Sequence, residues 1–358
     1  MLTKLGLIAL LEASGLAFDL VESGSRWMLV APGLGARIMG AGIDEENAFW
    51  VSPELSQGPW DKGGNAGGMR TWLAPESGPG AFFFSSDGLD WGVPPDLDPG
   101  NYEAISALTG WRNYCTVLKA SAADGARFPI SITRSMRLSE KVPAHPATLV
   151  FDFRHEVRNL GTSTVDQRIG LWSILQLPCA EVGTVFFALT SMHAEGDSCL
   201  RPYFVALPPG VSGLSGKWAW LRVRGGSRYK VGLGAKDSNG TVLHIRRSSI
   251  TGSDRNSYLL VAMRFAVDPA GVYLDKPSHM GTEALMNGDA AQAYSDPGKG
   301  DRAFCEIEAH SGAACLGPGE SDISEIEVTV ARLKRNELAE YVSERFDIGG
   351  LPPSALPG

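Results

Sequence analysis

Two carboxylates near the C-terminus have the spacing to share one face of a β-strand. Glu306 and Glu308 lie two residues apart in FCEIEAHS, and His310 continues the alternation. Side chains alternate between the faces of a strand, so all three would point to one side. Neighbouring carboxylates disfavour each other's ionisation, so one of them could act as a general base or acid, with His310 beside it. The same spacing also fits a solvent-facing sheet edge with scattered charges, and the residues alone favour neither interpretation.

A glycine-rich segment supplies groups that suit a polar ring with apolar faces. If MRTWLAPE is extended, Arg70 and Trp72 share one side, and Glu76 ends the segment. The guanidinium offers a planar fork of donors and the indole a flat apolar surface, a combination that fits a sugar. We therefore expect these three residues to bind substrate. The competing interpretation is a glycine-rich loop with a surface arginine and a core tryptophan.

Two further segments add candidates of the same kind. In GLWSILQLP, Trp172 and Gln176 fall on one strand face, where they would line a cleft or belong to a buried core strand with one satisfied amide. In RYKVGLG, Lys230 precedes two glycines and could take part in proton transfer. A lone lysine is otherwise an ordinary solvated charge.

Several classes of site lack their sequence signatures. The six histidines are His145, His155, His193, His244, His279 and His310. None has zinc-like spacing to another histidine or to a carboxylate, and no GxSxG motif is present, so we predict neither a metal site nor a Ser-His-Asp hydrolase. No cofactor is expected.

Composition and charge argue against two classes of partner, nucleic acid and membranes. The 358 residues carry 32 Lys and Arg against 40 Asp and Glu, a net charge of −8, which argues against nucleic acid. The 5 cysteines are odd in number and scattered, which predicts reduced thiols and a cytoplasmic protein. At the N-terminus, Leu5, Ile8, Leu11 and Leu16 suit one helix face, whereas a signal peptide there would make the protein periplasmic. No run approaches the roughly 20 apolar residues that span a bilayer, so no membrane partner is expected.

The chain reads as a single all-β domain. Short alternating runs such as FPISITRSMRLS, RPYFVAL and YLLVAMRFAV are separated by turn residues, with 43 Gly and 22 Pro in all. Helices are predicted only near residues 3–14 and 336–346. With no linker in sight, residues 1–358 should form one unit of sheet packed on sheet, in which 1–17 hold the first helix and 336–358 the second helix and a tail.

Four segments together resemble a known superfamily. GARIMG, GGMRTWLAPE, GLWSILQL and FCEIEAHSGAACLGPGES occur in the order found in galactose mutarotase-like (aldose 1-epimerase-like) proteins, and the match is closer to an uncharacterised bacterial branch. The resemblance spans roughly residues 18–333. It implies a β-supersandwich of large twisted antiparallel sheets, with a sugar or oligosaccharide bound in a concave cleft.

The resemblance also implies roles for two residues. Glu306 matches the base that takes the proton from the anomeric hydroxyl in aldose 1-epimerases, with Glu308 at the place of a glutamine. Trp172 stands where that family has its general-acid histidine, so the acid would have to be His244, His310, Lys230 or Arg70. We therefore expect a carbohydrate-active protein, either a mutarotase or epimerase, a non-catalytic carbohydrate-binding or sensing module, or a β-eliminating polysaccharide lyase.

Overall fold

Two large β-sheets make up most of the molecule. The computed structural model describes residues 2–58, 65–77, 80–83, 90–106, 110–141, 145–193, 199–249, 256–277, 280 and 288–357. Within these residues the chain forms one sheet of 11 strands, one of 10 strands and two α-helices. The all-β prediction is confirmed.

The first sheet carries all the strands that the candidate residues occupy. Its order is β1-β2-β3-β5-β10-β19-β18-β15-β12, with β4 beside β3 and β20 beside β10. Its members are β1 (Asp19–Ser23), β2 (Arg26–Ala31), β3 (Arg37–Ile43), β4 (Glu46–Asn47), β5 (Met69–Ala74), β10 (Val165–Pro178), β12 (Leu200–Pro202), β15 (Tyr229–Gly234), β18 (Asp289–Ser295), β19 (Phe304–His310) and β20 (Ala314–Leu316).

The second sheet has the order β13-β14-β11-β16-β17-β21-β9-β8-β7-β6. Its members are β6 (Glu103–Ile105), β7 (Arg112–Ser121), β8 (Arg127–Leu138), β9 (Thr148–Asn159), β11 (Gly183–Leu189), β13 (Ser212–Ser215), β14 (Trp218–Val223), β16 (Ser238–Arg247), β17 (Ser257–Phe265) and β21 (Ser321–Lys334). Neighbouring strands pair antiparallel in both sheets.

The alternation of side chains decides which face of the first sheet meets the second. Thr71 of β5 contacts His155 of β9, with 2.5 Å between Thr71 Oγ1 and His155 Nε2. Thr71 therefore points into the space between the sheets, and its neighbours Arg70 and Trp72 point away from it. Burial and Arg134 lower the pKa of His155 well below its ordinary value, so this histidine is a neutral core residue.

The two helices cover the outer sides of the sandwich. Helix α1 (Lys4–Ala13) begins after Thr3, whose side chain accepts a hydrogen bond from Gly6 N, and it buries Leu7 and Leu11. Helix α2 (Leu338–Phe346) packs on the outer face of the second sheet, where its apolar side chains join those of β16 and β17. The C-terminal tail is docked there too, since Trp218 Nε1 donates to Gly349 O at 2.7 Å.

Some details differ from the sequence predictions. Leu5 is 65% exposed, so the predicted apolar face of α1 is wrong at this residue, and Leu7 is buried beside Leu11 of the predicted stripe. Of RPYFVAL only the first two residues, Arg201 and Pro202, belong to a strand. β7 and β18 were not anticipated. β18 reads DAAQAYS and contains no β-branched residue, so its strand conformation follows from pairing with β15 and β19 on its two sides.

The five cysteines all lie among the described residues, and no disulfide bond links them. Cys305 is buried in β19 while Cys315 is exposed in β20. His279 lies outside the described residues.

Candidate functional site

The central strands of the first sheet bring the separate sequence motifs together. Trp172 of β10 lies between Trp72 on β5 and His310 on β19 in the strand register. Gln176 pairs with Glu306 across the same two strands, β10 and β19. Trp172 and Gln176 are four residues apart on β10, and Glu306 and His310 are four residues apart on β19. Because side chains alternate along a strand and paired residues share a face, all five side chains lie on the face turned away from the second sheet.

Two more strands extend this face. Tyr294 of β18 pairs with Glu306, and Lys230 of β15 pairs with Tyr294. The row Gln176–Glu306–Tyr294–Lys230 thus crosses four neighbouring strands. The sequence interpretation had no reason to include Tyr294, because β18 carries no motif.

A cavity of about 550 Å³ opens above this face. Six of the predicted site residues line it, namely Arg70, Trp72, Glu76, Trp172, Lys230 and Glu306. The other three, Gln176, Glu308 and His310, contact the lining residues from behind. Pockets of this size with aromatic walls and a few polar groups are the usual form of a small-molecule site.

Glu306 is fixed at the cavity floor by two donors. Gln176 Nε2 donates to Glu306 Oε1 at 2.7 Å, and Arg70 Nη2 donates to the same oxygen at 3.2 Å. Glu306 is 8% exposed, and no described residue donates a hydrogen bond to its Oε2. One oxygen of this carboxylate is therefore occupied by the protein, and the other remains for a ligand in the cavity.

Glu308 is held differently, and it does not line the cavity. Trp172 Nε1 donates to Glu308 Oε2 at 2.7 Å, and Lys230 Nζ lies 3.5 Å from the same oxygen. Burial raises the pKa of Glu308 to about 7, with Lys230 opposing and the charge of Glu306 reinforcing the shift. Its place behind Trp172 makes Glu308 a residue that positions its neighbours.

Lys230 is the ammonium group of the cavity. Its Nζ lies 3.4 Å from Glu76 Oε2 and 4.7 Å from the ring centre of Trp172. Burial alone would lower the pKa of Lys230, but the carboxylates of Glu308 and Glu76 outweigh it and hold the pKa above its ordinary value. Lys230 therefore stays charged at neutral pH, as a strong hydrogen-bond donor and a weak acid.

His310 is enclosed, so it does not reach a ligand directly. Its ring stacks on Trp172 with 5.4 Å between centres and 15° between planes, and it is only 2% exposed. Its Nδ1 lies 3.6 Å from Asp275 Oδ2. Burial, and then Lys230, lower the pKa of His310 well below its ordinary value, which leaves the ring neutral. His310, which the sequence suggested as a catalytic residue, thus packs behind Trp172.

The other candidates for the general acid differ in whether they reach the cavity. His244 lies on β16 in the second sheet and is buried, so it has no access to the cavity. Arg70 lines the cavity, but its guanidinium is engaged by the carboxylates of Glu306 and Asp98. Lys230 is the candidate that both lines the cavity and carries a transferable proton.

Asp98 ties together three side chains of the cavity, and no motif identified it. Arg37 Nη2 donates to both of its oxygens, at 2.6 and 2.8 Å, and Trp72 Nε1 donates to Oδ2 at 2.7 Å. Arg70 Nε lies 3.8 Å from the same carboxylate. Burial would raise the pKa of Asp98, but Arg37 and Arg70 hold it below its ordinary value. Asp98 is therefore an ionised buried group that fixes the indole and both guanidiniums.

Two glycines allow β5 to enter the sheet where it does. Gly67 and Gly68 have φ of +94° and +74°, in the left-handed region that side chains disfavour. A Cβ on Gly68 would collide with the carbonyl oxygen of Ile38, and one on Gly67 with that of Trp50. The glycines of the predicted binding segment thus serve close backbone packing, which sets the position of Arg70 two residues later.

Metal-ligating side chains are not clustered in the described part of the chain. Among its residues, no group of three or more His, Cys, Asp and Glu side chains is arranged to hold a metal ion. Neither helix in the described part of the chain is long and apolar enough to cross a membrane.

Solved structures with the same architecture come from several bacteria. A candidate aldose 1-epimerase from Escherichia coli K12 superposes with a TM-score of 0.53 at 12% identity, covering 89% of this chain and 100% of the other. The Slr1438 protein from Synechocystis sp. PCC 6803 gives 0.56 at 14% identity, with 88% and 96% covered. A galactose mutarotase-like protein from Lactobacillus casei ATCC 334 gives 0.52 at 8%, with 88% and 100% covered. At such identities these similarities establish the fold alone.

The fold is therefore that of the galactose mutarotase-like β-sandwiches, as the sequence resemblance implied. No curated protein matches the chain. A family model described as a family of unknown function (DUF6786) matches residues 8–348, and the chain belongs to that family.

Proposed function

We propose that this protein binds a sugar in the cavity of the first sheet and that Glu306 accepts a proton from one of its hydroxyl groups. The observation that carries the proposal is the set of contacts of Glu306, which lines the cavity, accepts hydrogen bonds from Arg70 and Gln176 on Oε1 and receives none from a described residue on Oε2. Two donors on one oxygen fix the orientation of the carboxylate, as a general base requires.

The cavity walls suit the faces and the edge of a sugar ring. Trp72 and Trp172 lie edge to face with 5.3 Å between ring centres, so they form a rigid apolar corner. Arg70, Glu76 and Lys230 supply donors and acceptors around it. A sugar has apolar C–H faces and a rim of hydroxyl groups, which this mixture of flat rings and charged groups complements.

Mutarotation would follow if a second group protonates the ring oxygen while Glu306 deprotonates the anomeric hydroxyl. Lys230 is the candidate donor, since it lies in the same register row as Glu306, two strands away, and lines the same cavity. Proton donation and acceptance at neighbouring atoms of the ligand then need no cofactor.

A second function, binding without catalysis, is favoured by one specific observation. The pKa of Lys230 is raised by its carboxylate neighbours, and Trp172 stands where the resemblance places a histidine acid. Both features weaken proton donation and leave sugar binding intact. Both functions use the same site, and they differ only in whether Glu306 removes a proton from the bound sugar.

Proton NMR of freshly dissolved α-glucose and α-galactose tests the proposal. The intact protein is expected to accelerate anomer equilibration, and Glu306→Gln should lose at least about 100-fold of that acceleration, the low end of what general bases contribute. Glu325→Gln on β21 of the second sheet is the matched control and should keep it.

Calorimetric titration with the same sugars separates the two functions. Binding without acceleration supports the non-catalytic module. If neither binding nor acceleration occurs across a broad panel of sugars, or if Glu325→Gln and Glu306→Gln behave alike, the proposal is wrong.

A further inference from the structure

One aromatic ring at the cavity mouth has a free face. Trp91 lines the cavity and is 50% exposed, although tryptophan is usually well buried. Its other side packs on Phe83, with ring centres 6.4 Å apart and planes 19° apart, and on Trp72 at 6.5 Å. Trp91 is thus an ordered, flat apolar surface that continues the aromatic wall of the cavity to the outside.

We propose that the ligand is an oligosaccharide, with its reducing-end ring in the cavity at Glu306 and the next ring stacked on Trp91. The inference rests on the proposed function and narrows its ligand. A solvent-exposed indole that extends a sugar site has the shape and polarity to cover the C–H face of a second pyranose ring.

The distances leave room for two rings. Trp91 packs on Trp72 of β5, while Glu306 belongs to β19, and β10 alone separates these strands. Trp72 lies between Trp91 and the rest of the cavity, because its ring centre is 5.3 Å from that of Trp172 and 6.5 Å from that of Trp91. A sugar ring in the corner of Trp72 and Trp172 therefore leaves the exposed part of Trp91 for a second ring linked to the first.

A second exposed aromatic ring lines the opposite side of the cavity. Phe204 also lines the cavity and is 47% exposed, but the guanidinium of Arg228 lies over its ring at 4.6 Å. Its edge meets Tyr294 at 6.2 Å between ring centres. A cation covers one face of Phe204, whereas Trp91 contacts the aromatic rings of Phe83 and Trp72, so we place the second sugar ring on the Trp91 side.

Titration with a ladder of glucose, galactose and galacturonate oligomers of one to four rings tests the inference. We expect the association constant to rise about tenfold from one ring to two, because stacking on an aromatic ring adds burial and an aromatic contact of this order. Trp91→Ala should remove that rise, so that one ring and two rings bind with similar association constants. Trp91→Phe should restore part of the rise.

Two control variants make the result specific. Phe204→Ala should preserve the rise between one and two rings, and Val117→Ala, which removes an apolar side chain that is 68% exposed on β7, should change nothing. If single rings bind and the second ring adds no affinity, or if Phe204→Ala and not Trp91→Ala removes the gain, the inference is wrong while the proposed function stands. If no oligomer of any length binds, both are wrong.

Discussion

Trp172 donates the hydrogen bond from its indole Nε1 to Glu308 Oε2, with 2.7 Å between the two atoms. In the aldose 1-epimerases that this chain resembles, the same position holds the histidine that acts as general acid. An indole N–H releases no proton near neutral pH, so here the position orients a buried carboxylate. The position that the sequence resemblance assigns to the acid thus orients a carboxylate in this protein, and under the proposed function Lys230 is the candidate proton donor.

Removing this donor should destabilise the protein in a pH-dependent way. Trp172→Phe keeps an aromatic ring and deletes the N–H, so the ionised Glu308 loses a charge-assisted bond, at a cost of about 2 kcal/mol in the free energy of unfolding. Because the pKa of Glu308 is about 7, the loss should be larger at pH 8 than at pH 5. Urea unfolding at both pH values measures it. Trp218→Phe, which loses a bond to the neutral Gly349 carbonyl, is the control and should show the same loss at both pH values.

Asp275 should make stability fall as the pH rises. Burial, and then the charge of Glu76, raise the pKa of Asp275 to about 7, whereas the unfolded chain has the ordinary value near 3.8. The folded state therefore binds more protons between these values, and its stability is full below pH 4 and declines as the pH rises through 7. Asp275→Asn keeps an acceptor for Glu76 N, now 2.8 Å from Asp275 Oδ1, and carries no charge.

The expected gain from Asp275→Asn is on the order of 4 kcal/mol at pH 8 and close to zero at pH 4, because the shift is about 3 pKa units and each unit corresponds to about 1.4 kcal/mol. Chemical unfolding at the two pH values measures the difference. The exposed Asp124→Asn is the matched control. A variant less stable than the parent at pH 8 would contradict the prediction.

Lys230 and Glu308 should be strongly coupled. Lys230→Met leaves Glu308 buried beside Glu76 without its cation, which should cost about 3 kcal/mol at pH 7.5. In the double variant with Glu308→Gln, the loss should fall short of the sum of the single losses by more than about 1 kcal/mol. The exposed pair Arg154–Glu325, with 3.7 Å between Nε and Oε1, should show less than about 0.5 kcal/mol of coupling in the same cycle. Additive losses at Lys230 and Glu308 would rule out a direct interaction.

The turn before β5 should tolerate no side chain at Gly68. Gly68→Ala combines an unfavourable positive φ with a collision against the Ile38 carbonyl, and we expect a loss of about 3 kcal/mol in the free energy of unfolding. Gly24→Ala is the control, since Gly24 has φ +62° with open space around it and should lose only about 1 kcal/mol. Thermal and urea unfolding distinguish the two, and similar losses would mean that the collision is relieved by backbone movement.

Much of the site was predictable because strand alternation is a local property. The spacing of Glu306, Glu308 and His310 places them on one face whatever the partners of the strand, and the same is true of Trp172 and Gln176. Alternation does not predict which of the side chains on one face reach the cavity. Glu306 reaches the cavity and Glu308 does not, because Trp172 and Lys230 lie over the second carboxylate.

The residues that sequence reasoning missed come from segments without periodicity. Asp98 and Trp91 lie between β5 and β6, outside any regular element, and Tyr294 belongs to a strand rich in alanine. Their roles depend on contacts between residues distant in sequence, such as the 61 positions between Arg37 and Asp98. A lone Asp in a loop gives no local sign that two arginines and an indole will converge on it.

The chain between β5 and β6 is attached to the floor of the cavity through Asp98. Phe83 and Trp91 of the same connection pack on Trp72, so its described residues form one side of the cavity. Substitutions among these aromatic residues that keep Asp98 would therefore reshape the entrance and leave the charged groups beneath it in place.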